Sequence, residues 1–265
     1  MSGTVRVALG LEYDGTAFAG WQAQRSSPAV QTLVEAALSP VADEPVSLIC
    51  AGRTDAGVHA CAQVVHFDTH ARRSARGWVL GANTSLPADI SVAWARAVPQ
   101  HFHARYCAEA RTYRYYVFNR AVRSALAARG AAWIRHPLDH ERMQRATSAL
   151  VGSHDFSAFR SAESQTHSPI RRVEALGVTR AGDFVIIEIR ANAFLHHMVR
   201  NVAGLLIAIG QGDQDPSWAQ EVLASKDRAQ AGPTAPAQGL YLWSVRYSRA
   251  FGLPVPRSAM ITGLP

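Results

Sequence analysis

The stretch at residues 111–119, Arg-Thr-Tyr-Arg-Tyr-Tyr-Val-Phe-Asn, constrains the fold more than any other part of the chain. Successive side chains on a strand point to opposite faces, so Arg111, Tyr113, Tyr115 and Val117 share one face and Thr112, Arg114, Tyr116 and Phe118 the other. A sheet is therefore required. Residues 5–13, with their β-branched and aromatic content, form a second strand closed by the turn signal Asp14-Gly15-Thr16. Val30, Leu33, Val34, Ala37 and Leu38 recur at helical spacing, which predicts a helix over 29–39. Strands follow at 46–50 and 63–67 with the glycine-bearing segment 52–60 between them. A short helix at 76–82 and a strand at 90–97, after the break at Pro87, complete a βαββαβ-like unit.

The second part repeats this order loosely. A helix is expected over 138–151, and strands 173–179 and 184–190 pair across the hairpin-sized connection 180–183. Phe194 begins the most amphipathic helix, with Phe194, Leu195, Met198, Val202, Leu205, Leu206 and Ile209 on one stripe and Arg200 off it. Residues 157–169 read as a polar loop. Gly232, Pro233 and Pro236 break the segment 226–239, residues 240–247 close the fold as a strand, and the tail beyond Phe251 reads as irregular. The expected class is α+β, with mainly antiparallel sheets in two βαββαβ-type halves forming a central cleft, a common place for a ligand.

Composition narrows the class of partner. Over 265 residues, 48% are apolar and 18% charged, which excludes a disordered or fibrous chain. The longest purely apolar run, 202–210, is far short of the roughly 20 residues of a membrane span. The N-terminus lacks the pattern of a secretory signal, so a cytoplasmic location without membrane association is expected. Net charge is +7, and nine arginines against three acids within residues 105–145 carry almost all of the excess; the remainder holds 18 basic and 17 acidic residues. Such local imbalance suits a polyanion, although a solvated face would also produce it. Cys50, Cys61 and Cys107 are widely spaced and read as small hydrophobes in a reducing compartment. His101, His103, His196 and His197 lack a ligand set at metal-site spacing, so no metal is expected.

The most informative segment is Ala51-Gly52-Arg53-Thr54-Asp55-Ala56-Gly57-Val58-His59-Ala60, where a lone carboxylate stands beside an arginine in a tight connection between strands. An ordinary turn would use the same residue types. A phosphate cradle is disfavoured by the central acid and by the absence of GxxxxGK[ST] or GxGxxG. Two other readings stay open on residues alone: a non-catalytic RNA-binding module built on aromatic strands, and a carboxylate-dependent hydrolase acting on a phosphorylated small molecule.

Together with Tyr13-Asp14-Gly15-Thr16, Gly20-Trp21-Gln22, Ala110-Arg111-Thr112-Tyr113-Arg114-Tyr115, His154-Asp155-Phe156, Phe194-Leu195 through Met198-Val199-Arg200 and Gly239-Leu240, this segment resembles the TruA family of tRNA pseudouridine synthases. The matches run in order from about residue 5 to 248. The resemblance implies two ferredoxin-like (RRM-like) halves, a homodimer, tRNA as partner, no cofactor, and isomerisation of uridine to pseudouridine in the anticodon stem-loop at positions 38, 39 and 40. It implies a catalytic carboxylate at Asp55 and substrate-binding residues at Tyr113, Arg53 and Arg200. Asp14 and His59 belong to the resembling motifs and read as supports of loop geometry. The expected organisation is an N-terminal α+β domain at 1–104 carrying the Asp55 loop, a C-terminal α+β domain at 105–248 with the basic RNA-binding segment, and an extension at 249–265.

Overall fold

The computed structural model describes residues 3–24, 27–161 and 168–254. The chain divides into two compact units, the first made of residues 3–109 with 242–254 and the second of the described residues of 110–241. The expected boundary near residue 104 lies a few residues before this division, and residues 242–254 group with the first unit.

In the first unit the order is β1 (Val5–Tyr13), α1 (Val30–Ala42), β2 (Ile49–Cys50), β3 (His59–Thr69), α2 (Ala75–Ser85) and β4 (Ile90–Val98), which is the expected βαββαβ arrangement. The sheet order is β4-β1-β3 followed by the C-terminal strand Leu240–Tyr247, with β2 also on β3. The β1–β3, β1–β4 and β2–β3 pairings are antiparallel. Gly10 sits in β1 where a Cβ would come within 2.0 Å of the Trp94 indole, so the small residue makes room for the aromatic one. Trp78 of α2 meets Phe67 of β3 edge to face at 5.2 Å, and both are almost fully buried. Each such side chain contributes about 1.5–3 kcal/mol relative to exposure.

The strand expected over 46–50 shortens to Ile49–Cys50, and the cause is local. Two side chains of α1 take the amide donors that a ladder would use: Ser39 Oγ accepts from Val46 N at 3.1 Å and Glu35 Oε1 from Leu48 N at 2.8 Å. The next strand is longer than its apolar run suggested, because its polar residues Gln63 and His66 are themselves buried.

The second unit contains β5 (Ala108–Asn119), β6 (Ala132–Ile134), α3 (His140–Thr147), β7 (Gly152–Asp155), β8 (Ile170–Ala181), β9 (Phe184–Ala191), α4 (Met198–Gln211) and α5 (Trp218–Ser225). Its sheet runs β5-β9-β8-β7 with antiparallel pairings, and β6 joins β5 in parallel. The β8–β9 hairpin needs only Gly182 and Asp183 as its connection, with Gly182 in the left-handed region at φ +58°. The mixed, mainly antiparallel α+β class expected from the sequence is thus present.

Helix limits differ from the spacing for identifiable reasons. α3 starts at His140 because Asp139 caps it, accepting from Glu141 N and Arg142 N, and its last turn tightens to 3₁₀ over Ser148–Leu150. α4 starts at Met198 rather than Phe194, because His197 takes a left-handed conformation at φ +63° and Leu195 O accepts from Met198 N in a preceding turn. α5 has no counterpart in the sequence reading. Part of the loop at 157–169 (162–167) and part of the extension (255–265) lie outside the described residues; Ser157–Phe159 forms a 3₁₀ turn, and Phe251 packs on Phe102 at 5.0 Å. Among the described residues, no helix is long and apolar enough to cross a membrane.

Candidate active site

The segment carrying Arg53 and Asp55 connects β2 to β3 in the first unit. Arg53 is exposed, Thr54 buried and Asp55 half-buried, so the loop alternates between holding itself and presenting side chains. The residues on either side of Asp55 are pinned by the backbone: Trp21 N donates to Thr54 O at 3.0 Å, Gly57 N to Phe18 O at 3.2 Å and Val58 N to Asp55 O at 3.1 Å. A buried side-chain network fixes the same stretch from below. Tyr13 Oη and Thr54 Oγ1 are 2.8 Å apart, and Gln63 Nε2 donates to Gly52 O at 2.6 Å while standing 3.5 Å from Tyr13 Oη. Gln63 is fully buried in the strand that follows the loop.

Two glycines are needed for this close packing. Gly20 has φ +98°, and a Cβ there would fall 2.6 Å from Thr54 O; Gly15 would place one 2.0 Å from Val58 O. The Tyr13-Asp14-Gly15-Thr16 and Gly20-Trp21-Gln22 motifs are thus the clamp around the Asp55 loop, built from the end of β1 and the segment after it. His59 Nδ1 accepts from Gly15 N at 3.1 Å. Asp14 Oδ1 approaches the same nitrogen to 3.1 Å. Asp14 Oδ1 accepts from Thr16 N at 2.9 Å and from Thr16 Oγ1 at 2.5 Å. Both residues support the loop, as the sequence suggested.

Tyr113 and Arg200 belong to the second unit. Tyr113 lies on β5 opposite Ile189, 7% exposed, with its ring edge to face against Phe194 at 5.0 Å. Tyr115, two residues on and on the same face, is a different kind of tyrosine. It is fully buried, its hydroxyl donates to Pro236 O at 2.8 Å, and burial pushes its phenol well above the usual range against the opposing charge of Arg200. The two tyrosines thus sit in different surroundings on one face of the strand.

Arg200 sits in the first turn of α4, half-buried, and is tied to the 232–236 segment through both backbone and side chain. Its Nε donates to Ala235 O at 2.8 Å, and its carbonyl accepts from Ala235 N at 3.1 Å. That segment is in turn held by buried Asn201, whose Oδ1 accepts from Thr234 Oγ1 at 2.7 Å and Arg228 Nη2 at 3.0 Å. Gly204 lets the segment approach α4, since a Cβ would fall 2.0 Å from Pro233 O. Arg200 is therefore a seated guanidinium. His154-Asp155-Phe156 has an architectural part: Phe156 is fully buried, and Asp155 accepts from Ser157 N and Oγ, which lowers its pKa.

The model of the tRNA pseudouridine synthase family matches residues 11–107 and 146–248. The chain belongs to that family. It is an isomerase of this class, similar to a tRNA pseudouridine synthase A of Methylococcus capsulatus at 56% identity over 98% of this chain and 96% of the relative. It is also 54% identical to the enzymes of that name from Coxiella burnetii, over 94% of this chain and 95% of the relative, and from Vibrio cholerae, with the same coverage. In this synthase, Arg53, Asp55 and Arg200 fall inside the two matched segments, whereas Tyr113 and most of the arginine-rich segment lie between them.

That arginine-rich segment is less available than its charge count suggests. Arg111 is buried and donates to Asn192 O, Arg114 pairs with Glu188 at 2.6 Å, Arg120 with Asp183 at 3.5 Å and Arg142 with Asp215 at 3.0 Å. Arg123, Arg135 and Arg145 are exposed. The residue that sequence reasoning missed is Gln63; its signal was a lone amide inside the apolar run of β3.

Proposed function

We propose that this chain isomerises uridine to pseudouridine in tRNA, within the anticodon stem-loop at positions 38, 39 and 40, with Asp55 as the catalytic carboxylate. The observation that carries the reading is the Asp55 loop itself: a half-buried carboxylate beside an exposed arginine, clamped by Tyr13, Gln63, Gly15 and Gly20, in a chain of the synthase family. The reaction breaks the bond between N1 and C1′ of the nucleoside, joins C1′ to C5, releases the C5 hydrogen to solvent and leaves one on N1. It is redox-neutral and asks for no cofactor. A carboxylate held on a rigid loop can serve it as nucleophile or as base.

Tyr113, Arg53 and Arg200 are the substrate-binding residues of this reading. A tyrosine offers a ring for stacking on uracil. An exposed arginine such as Arg53 can hold a phosphate or fill the space of an extruded base, which offsets part of the few kcal/mol that flipping costs. Arg123, Arg135 and Arg145, the exposed arginines named above, hold RNA backbone, where contacts position the substrate without reading its sequence. The enzyme works in the cytoplasm as a homodimer, and sedimentation of the purified protein at twice the chain mass is the expected result for its assembly.

The test is incubation of the protein with an unmodified tRNA transcript, release of label from C5 of uridine, and mapping of pseudouridine by position. Asp55→Ala abolishes release while retaining most tRNA affinity. Turnover near wild type in that variant removes Asp55 from the chemistry, and conversion only outside the anticodon stem-loop overturns the assignment of target.

A further inference from the structure

The structure assigns to the first unit a second anion-binding surface, a groove rimmed by Arg72, Arg73 and Arg96, and we propose that it takes phosphodiester backbone of tRNA. This inference rests on the functional reading above for the identity of its ligand. The groove has a volume of about 540 Å³ and lies between the β1–β4 edge of the sheet and the start of α2. Val7, Trp78 and Ala95 are among the apolar residues that line it together with the three arginines, and no carboxylate lines it among the described residues.

The three arginines differ from those of residues 105–145 in how their charge is spent. Arg114, Arg120 and Arg142 each face a carboxylate within the fold. Arg72, Arg73 and Arg96 form no ion pair among the described residues, although Arg73 is held in place. Arg73 Nε donates to Val41 O at 3.0 Å and its Nη1 to Arg72 O at 3.3 Å. The Arg96 guanidinium lies over Gly252, where a Cβ would come within 2.8 Å of Nη2. Arg76, also without an ion pair among the described residues, adds a fourth positive charge on the first turn of α2. Like charges gathered without internal counterions draw solution anions, and a polyanion that replaces those ions gains the entropy of their release.

Charge also selects among occupants. The chain's own residues after Pro254 contain Arg257 and no acid, so they do not complement the rim. A protein ligand would have to be acidic. RNA supplies phosphates at regular spacing together with ribose and base surface for the apolar floor.

The test measures binding of unmodified tRNA transcript across a salt series for the full chain, for Arg72→Gln/Arg96→Gln, and for Arg120→Gln/Arg142→Gln. Each double variant removes two positive charges, but only the first removes unpaired ones. For Arg72→Gln/Arg96→Gln, the slope of log K against log salt becomes shallower by about 1.4–1.8, and affinity at low salt falls by about tenfold or more. The comparison variant changes both less. Equal changes in the two variants mean that total charge is responsible and overturn the groove. Wild-type affinity and slope in Arg72→Gln/Arg96→Gln overturn it as well, and Arg72→Glu/Arg96→Glu checks that result with a larger perturbation; far-UV circular dichroism establishes that each variant is folded. Polyglutamate competing with tRNA for the groove as well as tRNA itself does would show an acidic-protein site and refute the RNA assignment. Conversion of uridine by wild type together with unaltered binding in the groove variant sinks the groove alone; no tRNA binding by wild type sinks both readings.

Discussion

Replacing Gln63 by leucine tests whether the Asp55 loop is positioned from beneath. The leucine side chain is close in volume, so the core keeps its packing while the amide is lost. Gly52 O then loses the short 2.6 Å bond, and the longer contacts to Gly52 N at 3.4 Å and Tyr13 Oη at 3.5 Å go with it. An acceptor left without its partner in a partly buried place costs about 1–3 kcal/mol, and the two long contacts add little. For a chain of this size that lowers Tm by roughly 2–12 °C, from about 2–4 °C per kcal/mol. The catalytic effect is separate. Gly52 stands three residues before Asp55, and a shift of the carboxylate by about 1 Å can cost 100-fold. We expect kcat for C5 label release to fall by about tenfold to 100-fold, with KM for tRNA unchanged because no nucleotide contact has been removed. Gln63→Glu should fail in the same direction, since the short bond needs a donor. A lowered Tm with full kcat refutes the positioning role and leaves Gln63 purely structural. An unchanged Tm refutes the bond network itself.

Other consequences are equally direct. His66 is buried, accepts from Ala104 N through Nδ1, and is held at a pKa of about 4 by burial and then by the charges of Arg6 and His103. Between the usual value near 6.5 and about 4 the unfolded chain binds the proton more readily. Stability from this group is therefore complete above about pH 6.5 and is lost as pH falls toward 4, by up to about 3 kcal/mol. Urea midpoints for wild type and His66→Gln should converge over that window, and parallel pH curves would rule the group out. Gly20→Ala puts a methyl group 2.6 Å from Thr54 O at φ +98°, so both stability, by about 1–3 kcal/mol, and kcat should drop; a variant with wild-type kcat would show that the clamp yields without moving Asp55. Tyr115→Phe loses the bond to Pro236 O and should cost about 1 kcal/mol in thermal unfolding with kcat retained, whereas Tyr113→Phe should lower kcat. Full kcat in Tyr113→Phe together with lost kcat in Tyr115→Phe would exchange the two tyrosines' roles.

What the sequence could reveal follows from the range of the interactions. The strands at Val5–Tyr13 and Leu240–Tyr247 match their expected limits, because alternation and flanking turn residues are local properties. The strand before the Asp55 loop was overestimated for the opposite reason: Ser39 and Glu35, seven and thirteen residues away on α1, claim its amide donors. α4 was displaced by four residues because apolar spacing continues smoothly through Phe194 and Leu195 while the backbone turns at His197. The site shows the same division. The loop that carries Arg53 and Asp55 was legible as a connection between two strands, but Gln63 acquired its part only when β3 placed its amide beside Gly52.

Charge is the sharpest case. Along the chain, residues 105–145 carry the excess, and the pair at 72 and 73 is unremarkable. In the folded sheet, strand register sets Arg114 opposite Glu188, and the β8–β9 turn brings Asp183 to Arg120, so part of that excess is spent internally. Arg96 arrives beside Arg72 and Arg73 from a separate strand, and no acid follows it into the groove. A polyanion responds to unneutralised charge in space, so the segment richest in arginine and the surface best able to bind RNA need not coincide. The two double variants above separate these quantities because they remove the same number of charges, one from the groove where no ion pair holds them and the other from the second unit where carboxylates already do.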